Sequence, residues 1–289
     1  MFVKAENLSF VYGSGRLSFR ALNDINLEIN EGEFYGIIGH TGSGKSTFVQ
    51  HINGLIKIEK NRGKLTVGEF DLTQKKCNFK DLRKKVGMVF QYPEYQLFAE
   101  TVEDDIAFGL KNFCPEMDEK AKKQAVKEAM ESVGLDYEKY RAVSPFELSG
   151  GQKRRVAIAG VIVTKPELLI LDEPVAGLDP EGKREFTALL HQLKSKFVKT
   201  IIIVSHDMDF VAENCTRVAV FSEGSVIAEG TPKEIFAKTE VRESGLGMPL
   251  TAFVCDKLAQ AGIDLDCDLT TEDFIEKVAN TLQERGDNA

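Results

Sequence analysis

Residues Gly39 to Ser46 read G-H-T-G-S-G-K-S, the spacing of a loop that wraps phosphate groups. Gly39, Gly42 and Gly44 let the backbone turn tightly enough for successive N–H groups to point inward at phosphate oxygens. Lys45 then reaches the β- and γ-phosphates and Ser46 offers its hydroxyl to Mg²⁺. The helix expected to begin near Lys45 adds the partial positive charge of its N-terminus. The candidate nucleotide-binding segment runs on through Thr41, Ser43 and Thr47 and includes His40. His40 sits where the spacing leaves the residue free, so its side chain is expected to face solvent rather than the chemistry.

A second group of reactive side chains lies far along the chain. Leu168-Leu169-Ile170-Leu171 is a continuous apolar run, as expected of a strand buried on both faces, and Asp172 and Glu173 follow at its C-terminal end. Ligands of open α/β sheets bind at that end. Asp172 is placed to hold the magnesium shell through water, and Glu173 to accept a proton from, or orient, the water attacking the γ-phosphorus. A third group is Leu148-Ser149-Gly150-Gly151-Gln152, where a small hydroxyl and two glycines lead into a helix N-terminus and make a second anion-binding surface.

The L-S-G-G-Q run with the phosphate loop resembles the ATP-binding cassette (ABC) ATPases, for which it is the signature. That resemblance implies an α/β fold of the ABC-type P-loop NTPase kind. Its parts are a mixed-sheet core, a small antiparallel β layer, a helical subdomain and here a short helical C-terminal extension. It implies ATP and Mg²⁺ as ligands, and a head-to-tail pair in which Ser149, Gly150, Gly151 and Gln152 of one subunit close over the ATP of the other. Asp179 resembles the loop residue that communicates across that interface. Gln91 resembles the glutamine that touches Mg²⁺ beside Ser46 and Asp172, and senses the membrane partner. His206 resembles the switch histidine that joins Glu173 in catalysis, and Tyr12 the aromatic that stacks on adenine. One departure is Val175, where the family commonly has threonine or serine, which removes a hydroxyl expected near the active site.

Composition fits this. The 45 acids against 37 Lys and Arg leave a net charge of −8, so no nucleic-acid partner is expected. The apolar stretch Val156 to Val163 is far too short to cross a bilayer, and no secretory leader pattern opens the chain. The expected location is peripheral, on the cytoplasmic face of the cell membrane. The five cysteines are odd in number, spread out and without a C-x-x-C pair, which argues against a zinc site or a disulfide framework.

The elements that must hold these groups can be placed by period. Phe34 to Ile38 reads as the strand feeding the phosphate loop, Val86 to Phe90 as one ending at Gln91, and Ile201 to Ser205 as one ending at His206. Ile25, Leu27 and Ile29 alternate with polar residues in an antiparallel layer. Met117, Ala121, Ala125, Val126, Ala129, Met130 and Val133 recur at helical spacing in an insertion, giving a helical subdomain over about 92–160. A hairpin is expected across Glu223-Gly224, with Val218 and Val220 mirroring Val226 and Ala228. The nucleotide-binding domain is set at 1–240 and the extension at 241–289. In the extension Gly245, Gly247 and Pro249 mark a linker. Leu250, Phe253, Val254, Leu258 and Ala261 mark one helix, and Thr270 with Asp273 caps another carrying Phe274, Ile275, Val278 and Leu282. Their apolar faces must pack on the body or on a partner subunit, and a subunit contact is favoured.

A narrower resemblance rests on the run Gly39 to Thr47, then Gln50-His51-Ile52-Asn53-Gly54-Leu55, then Phe90-Gln91-Tyr92-Pro93-Glu94-Tyr95-Gln96-Leu97-Phe98. Together these resemble the ATPase of an energy-coupling factor (ECF) importer of vitamins or metal ions, over nearly the whole chain. The resemblance implies three partners: a second ABC ATPase, identical or homologous; an integral-membrane coupling subunit; and a membrane subunit that binds the substrate. Tyr92 to Phe98 would be an extra element near the nucleotide and the membrane contact. The alternatives are the ATPase of a conventional ABC transporter and a soluble, non-transport ABC ATPase.

Overall fold

Alternation decides the first layer, as seen in the computed structural model, which describes residues 2–286. β1 (Val3–Tyr12) and β2 (Phe19–Ile29) pair antiparallel from Val3 opposite Ile29 to Tyr12 opposite Phe19. Ile25, Leu27 and Ile29 are buried while Asn26 and Glu28 face out. After β3 (Phe34–Gly39) and α1 (Lys45–Ile52), the strands β4 (Lys64–Val67) and β5 (Phe70–Asp71) complete this sheet in the order β2-β1-β4-β5.

The second sheet carries the chemistry. Its strands are β3, β6 (Val86–Val89) after α2 (Phe79–Lys85), and β7 (Leu168–Asp172) and β8 (Thr200–Val204). The hairpin β9 (Arg217–Ser222) and β10 (Ser225–Gly230) closes it in the order β10-β9-β3-β8-β7-β6. Every pairing is parallel except the hairpin, so the C-terminal ends of β3, β6, β7 and β8 share one edge. The apolar runs are continuous because each strand serves two cores. Leu168 and Ile170 join the cluster facing the antiparallel layer, whereas Leu169 and Leu171 join the one facing the helices.

That helical side holds α3 (Val102–Phe113), α4 (Glu119–Ser132), the single turn α5 (Tyr137–Tyr140) and α6 (Gly150–Ile162), inserted between β6 and β7. Asp118 caps α4 by accepting the Ala121 N–H at 2.8 Å, so Met117 lies just outside the helix that its spacing had suggested it would join. α7 (Pro180–Lys196) follows β7, and α8 (Met208–Asn214) follows β8. In the hairpin Glu223 and Gly224 both have positive φ, 48° and 80°, the two-residue turn that twisted strands require. Its register differs in part from the mirrored pairs expected. Val220 faces Ala228, but Val218 faces Gly230 and Val226 faces Phe221, because the ladder shifts between Val226 and Ala228.

Beyond α9 (Pro232–Ala237) and α10 (Thr239–Glu243) lie α11 (Leu250–Gln260) and α12 (Thr271–Gly286). Ala252, Cys267 and Leu269 are buried in the helix-side core, so one face of this extension packs on the body. Leu250, Phe253, Ile275 and Leu282 remain exposed on the rest of it. All five cysteines are free thiols, yet Cys255 and Cys267 bring their sulfurs within 3.1 Å, a proximity their spacing did not suggest. Among the described residues no helix is long and apolar enough to cross a membrane.

Candidate active site

The phosphate loop is gripped by backbone on two sides. A Cβ on Gly39 would lie 2.2 Å from the Phe221 carbonyl oxygen of β9, and one on Gly44 would lie 2.4 Å from that of Ala21 on β2, so no larger residue fits either position. Gly44 also stands at the N-cap of α1 with φ 104°, and having no side chain it leaves the first-turn N–H groups without a side-chain cap. Lys45 is buried. Its ammonium donates to the carbonyl oxygens of Gly39 at 2.7 Å and His40 at 2.8 Å. Burial lowers the Lys45 pKa, and the nearby charges of Glu173 and Asp172 oppose that shift.

The acids arrive from two strands away. Asp172 ends β7 and is only 7% exposed; burial raises its pKa, helped by the Glu173 charge, while the Ser46 hydroxyl bonded to it and Lys45 pull the other way. Glu173 has φ 50°, a conformation that costs a non-glycine residue about 1–3 kcal/mol. Its N–H donates to the Val204 carbonyl at 2.8 Å, which anchors that backbone to the end of β8. The twist brings Glu173 Oε2 to 2.7 Å from His206 Nδ1. A carboxylate oxygen only accepts, so Nδ1 carries the hydrogen and, in the neutral ring, Nε2 is left as an acceptor. His206 is largely exposed while Glu173 is mostly covered.

These groups line one cleft of about 330 Å³: Thr41, Gly42, Gly44, Lys45, Ser46, Thr47, Gln91, Asp172, Glu173 and His206, with Phe19 and Ala21 from β2. Gly39 and Ser43 lie buried behind it, and among the described residues the Ser43 hydroxyl has no hydrogen-bond partner. Ser46, Gln91 and Asp172 share this lining, and a hydroxyl, an amide carbonyl and a carboxylate are oxygen donors of the kind Mg²⁺ takes. Tyr12 borders the cleft rather than lining it. Its hydroxyl is 3.4 Å from Thr47 Oγ1, and the aromatic on the wall is its cross-strand partner Phe19, which sequence reasoning missed.

Ser149, Gly150 and Gly151 are exposed and stand outside that cleft. Ser149 and Gln152 form a reciprocal cap on α6: the Ser149 N–H donates to Gln152 Oε1 at 3.0 Å, and the Gln152 N–H to Ser149 Oγ at 3.3 Å. A Cβ on Gly150 or Gly151 would meet nothing within 4 Å, so the chain's own packing does not demand glycine at either place. Asp179 caps α7 by accepting the Gly182 N–H at 2.7 Å and is exposed. Arg154, in the basic start of α6, donates to the carbonyls of Pro174 at 3.2 Å and Ala176 at 3.1 Å, in the loop that follows Glu173, a role not read from sequence. Its Nε lies 3.9 Å from the Glu94 carboxylate, in the segment after Gln91.

One expectation gains a contact and another needs correction. His40 is exposed and stands outside the cleft lining, as expected, and its Nε2 lies 2.8 Å from the Ser244 carbonyl oxygen at the start of the extension. Val175 is 3% exposed and sits in the helix-side core, so the missing hydroxyl is not one that would have faced the cleft. Val175→Thr is therefore expected to lower the unfolding free energy by about 1–3 kcal/mol, the cost of burying a hydroxyl, without raising turnover. Urea denaturation and a phosphate-release assay check the two halves of that statement.

Residues 22–176 match the family model described as ABC transporter. The chain is 50% identical to the energy-coupling factor transporter ATP-binding protein EcfA2 of Clostridium tetani, over 94% of this chain and 93% of that protein. It is 46% identical to the protein of the same name from Clostridioides difficile, over 99% of each. Among solved structures it is similar to cbiO1 from Clostridium perfringens, described as part of the ABC transporter complex cbiONQ. There the TM-score is 0.72 and the identity 39%, over 88% of this chain and 98% of that one. An ATP-binding cassette solved as a dimer in a post-hydrolysis state with ADP and Pi has a TM-score of 0.69 and 29% identity, over 79% of this chain and 97% of that one.

Proposed function

The chain belongs to the ABC transporter family and, within it, to the energy-coupling factor transporter ATP-binding proteins, and on that footing we propose how its residues run the ATPase cycle of an importer. The observation that carries the proposal is the convergence of Lys45, Ser46, Gln91, Asp172, Glu173 and His206 on one cleft, with the Ser149–Gly151 tip of the same chain outside it. Lys45 and the loop N–H groups hold the polyphosphate, whose charge offsets the burial cost of the lysine. Ser46, Asp172 and Gln91 hold Mg²⁺, which supplies charge neutralisation at the phosphates. Phe19 and Tyr12 offer an aromatic edge to the base. Glu173 takes the proton of the attacking water, and His206, fixed through Nδ1, turns Nε2 toward the γ-phosphate side.

The exposed tip completes the site of a neighbour. Gly150 and Gly151 have no internal reason to lack a Cβ, and a close approach from outside supplies one. The partner is a second ATPase, identical or paralogous, and the exposed Leu250, Phe253, Ile275 and Leu282 of the extension offer it further contact. On this reading the nucleotide-binding domain is 1–240 and the contact extension 241–289.

Membrane coupling is assigned to the groove between α3, α6 and β6. Phe98 and Phe108 meet edge to face at 4.8 Å on its wall, both half exposed, with Leu55, Phe90 and Leu97 beside them. The groove begins next to Gln91, so a helix of an integral-membrane subunit seated there is felt at the magnesium site. Opening and closing of the ATPase pair then moves that subunit and a substrate-binding membrane protein, at the cytoplasmic face. Vitamins or metal ions are the cargo class. Mass identification of what copurifies from gently solubilised membranes is expected to find a coupling protein and a small substrate-binding membrane protein. Recovery of the chain with soluble partners alone would remove the importer reading.

A further inference from the structure

The C-terminal extension is fastened to the frame of the nucleotide cleft at three points. His40, inside the phosphate loop, holds the Ser244 carbonyl oxygen at 2.8 Å through Nε2, which must be the donor. The N–H of Leu250, first residue of α11, donates to Asp209 Oδ1 at 2.6 Å. The N–H of Thr271, first residue of α12, donates to Glu213 Oε2 at 2.9 Å. Asp209 and Glu213 are four residues apart on one face of α8, which starts two residues after His206. Two carboxylates of one short helix thus serve the N-termini of both extension helices, where N–H groups lack partners within their own helix and negative charge is favoured. The segment from Ser244 to Leu250 spans the distance between the phosphate loop and α8, and the side chain of Met208 lies 3.7 Å from where a Cβ on Gly247 would be.

We propose that the extension is a nucleotide-responsive element, with His40 as the positioning residue that transmits occupancy of the phosphate loop to the 244–250 segment. The His40 peptide is itself held by Lys45, whose ammonium takes the His40 carbonyl at 2.8 Å. Phosphate competes for that ammonium but engages the loop N–H groups together, and these several contacts fix the backbone carrying the imidazole more firmly than the single lysine contact they replace. A fixed ring keeps its hydrogen bond to Ser244 for more of the time, and the extension is held more tightly. Coupling of this kind is reciprocal, so whatever frees the extension weakens the nucleotide. The proposal rests on the reading of the cleft as a nucleotide site.

Amide hydrogen exchange on the full-length chain, with and without a non-hydrolysable ATP analogue and Mg²⁺, tests it. The analogue is expected to slow exchange between Ser244 and Leu250 about fivefold, the effect of one net hydrogen bond. His40→Ala should abolish that slowing, and His40→Gln, whose amide can donate in the same direction, should restore it. Protection of the phosphate loop with unchanged or faster exchange at 244–250 overturns the proposal alone, as does slowing that persists undiminished in His40→Ala. Protection absent from both segments overturns the nucleotide reading as well. A second measurement avoids the loop. Asp209→Ala is expected to raise the Kd of the analogue about fivefold and Asp209→Asn, which keeps the acceptor, to return it; equal Kd values for the two overturn the link.

Discussion

Glu173→Gln is expected to bind ATP as the parent chain does and to hydrolyse it roughly 10²-fold or more slowly, the loss that follows removal of a positioned base. The substitution changes little else. Gln keeps an oxygen to accept the His206 Nδ1 hydrogen, and the Glu173 N–H to Val204 that anchors the turn involves only backbone. Lys45 and Ser46 are untouched, so binding and hydrolysis separate cleanly. With ATP retained at both interfaces the pair should stay closed, which light scattering reads as a dimer that persists in Mg²⁺ and ATP. Single-turnover phosphate release reads the chemistry. Normal release with the partner present would mean that another group activates the water. Lys45→Ala should behave in the opposite way and weaken nucleotide binding itself.

The positive φ of Glu173 shows which parts of this site a sequence can carry. That Asp172 and Glu173 follow a buried strand is visible from four apolar residues in a row, because a strand feeding two cores must be apolar on both faces. The same holds for the phosphate loop, whose glycines are fixed by local backbone geometry. Phe19 was not visible because its place on the wall depends on cross-strand register: it follows from Tyr12 only once β1 and β2 are known to pair end to end. The role of Arg154 is not legible locally, since its partners are carbonyls of a loop reached only through the tertiary fold. The contact of His40 with Ser244 is hidden for the same reason, its partner being 204 residues away. Val175 was judged by analogy of position, and the direction of its side chain overruled that.

Gly151→Asp should separate what the tip does for its own chain from what it does for a neighbour. Within the chain the change is accommodated. A Cβ at Gly151 meets nothing within 4 Å, its φ is not positive, and an acid in the first turn of α6 is favoured by the helix dipole by about 0.3–1 kcal/mol. The melting midpoint should therefore hold or rise. On the proposed head-to-tail pairing the same carboxylate would stand against the γ-phosphate of the neighbour, so turnover should fall roughly 10²-fold or more, as when an anion-stabilising contact is lost. If two copies of this chain pair, mixing Gly151→Asp with Lys45→Ala rebuilds one intact site in each mixed dimer, Lys45 from the first chain and the tip from the second. Half the dimers then carry one of two sites, and roughly a quarter of the parent activity should return. If the partner is a paralogue, Gly151→Asp should disable only the site whose phosphate loop belongs to that paralogue. A Gly151→Asp protein that hydrolyses ATP at the parent rate in its assembled state would show that the tip never meets a phosphate.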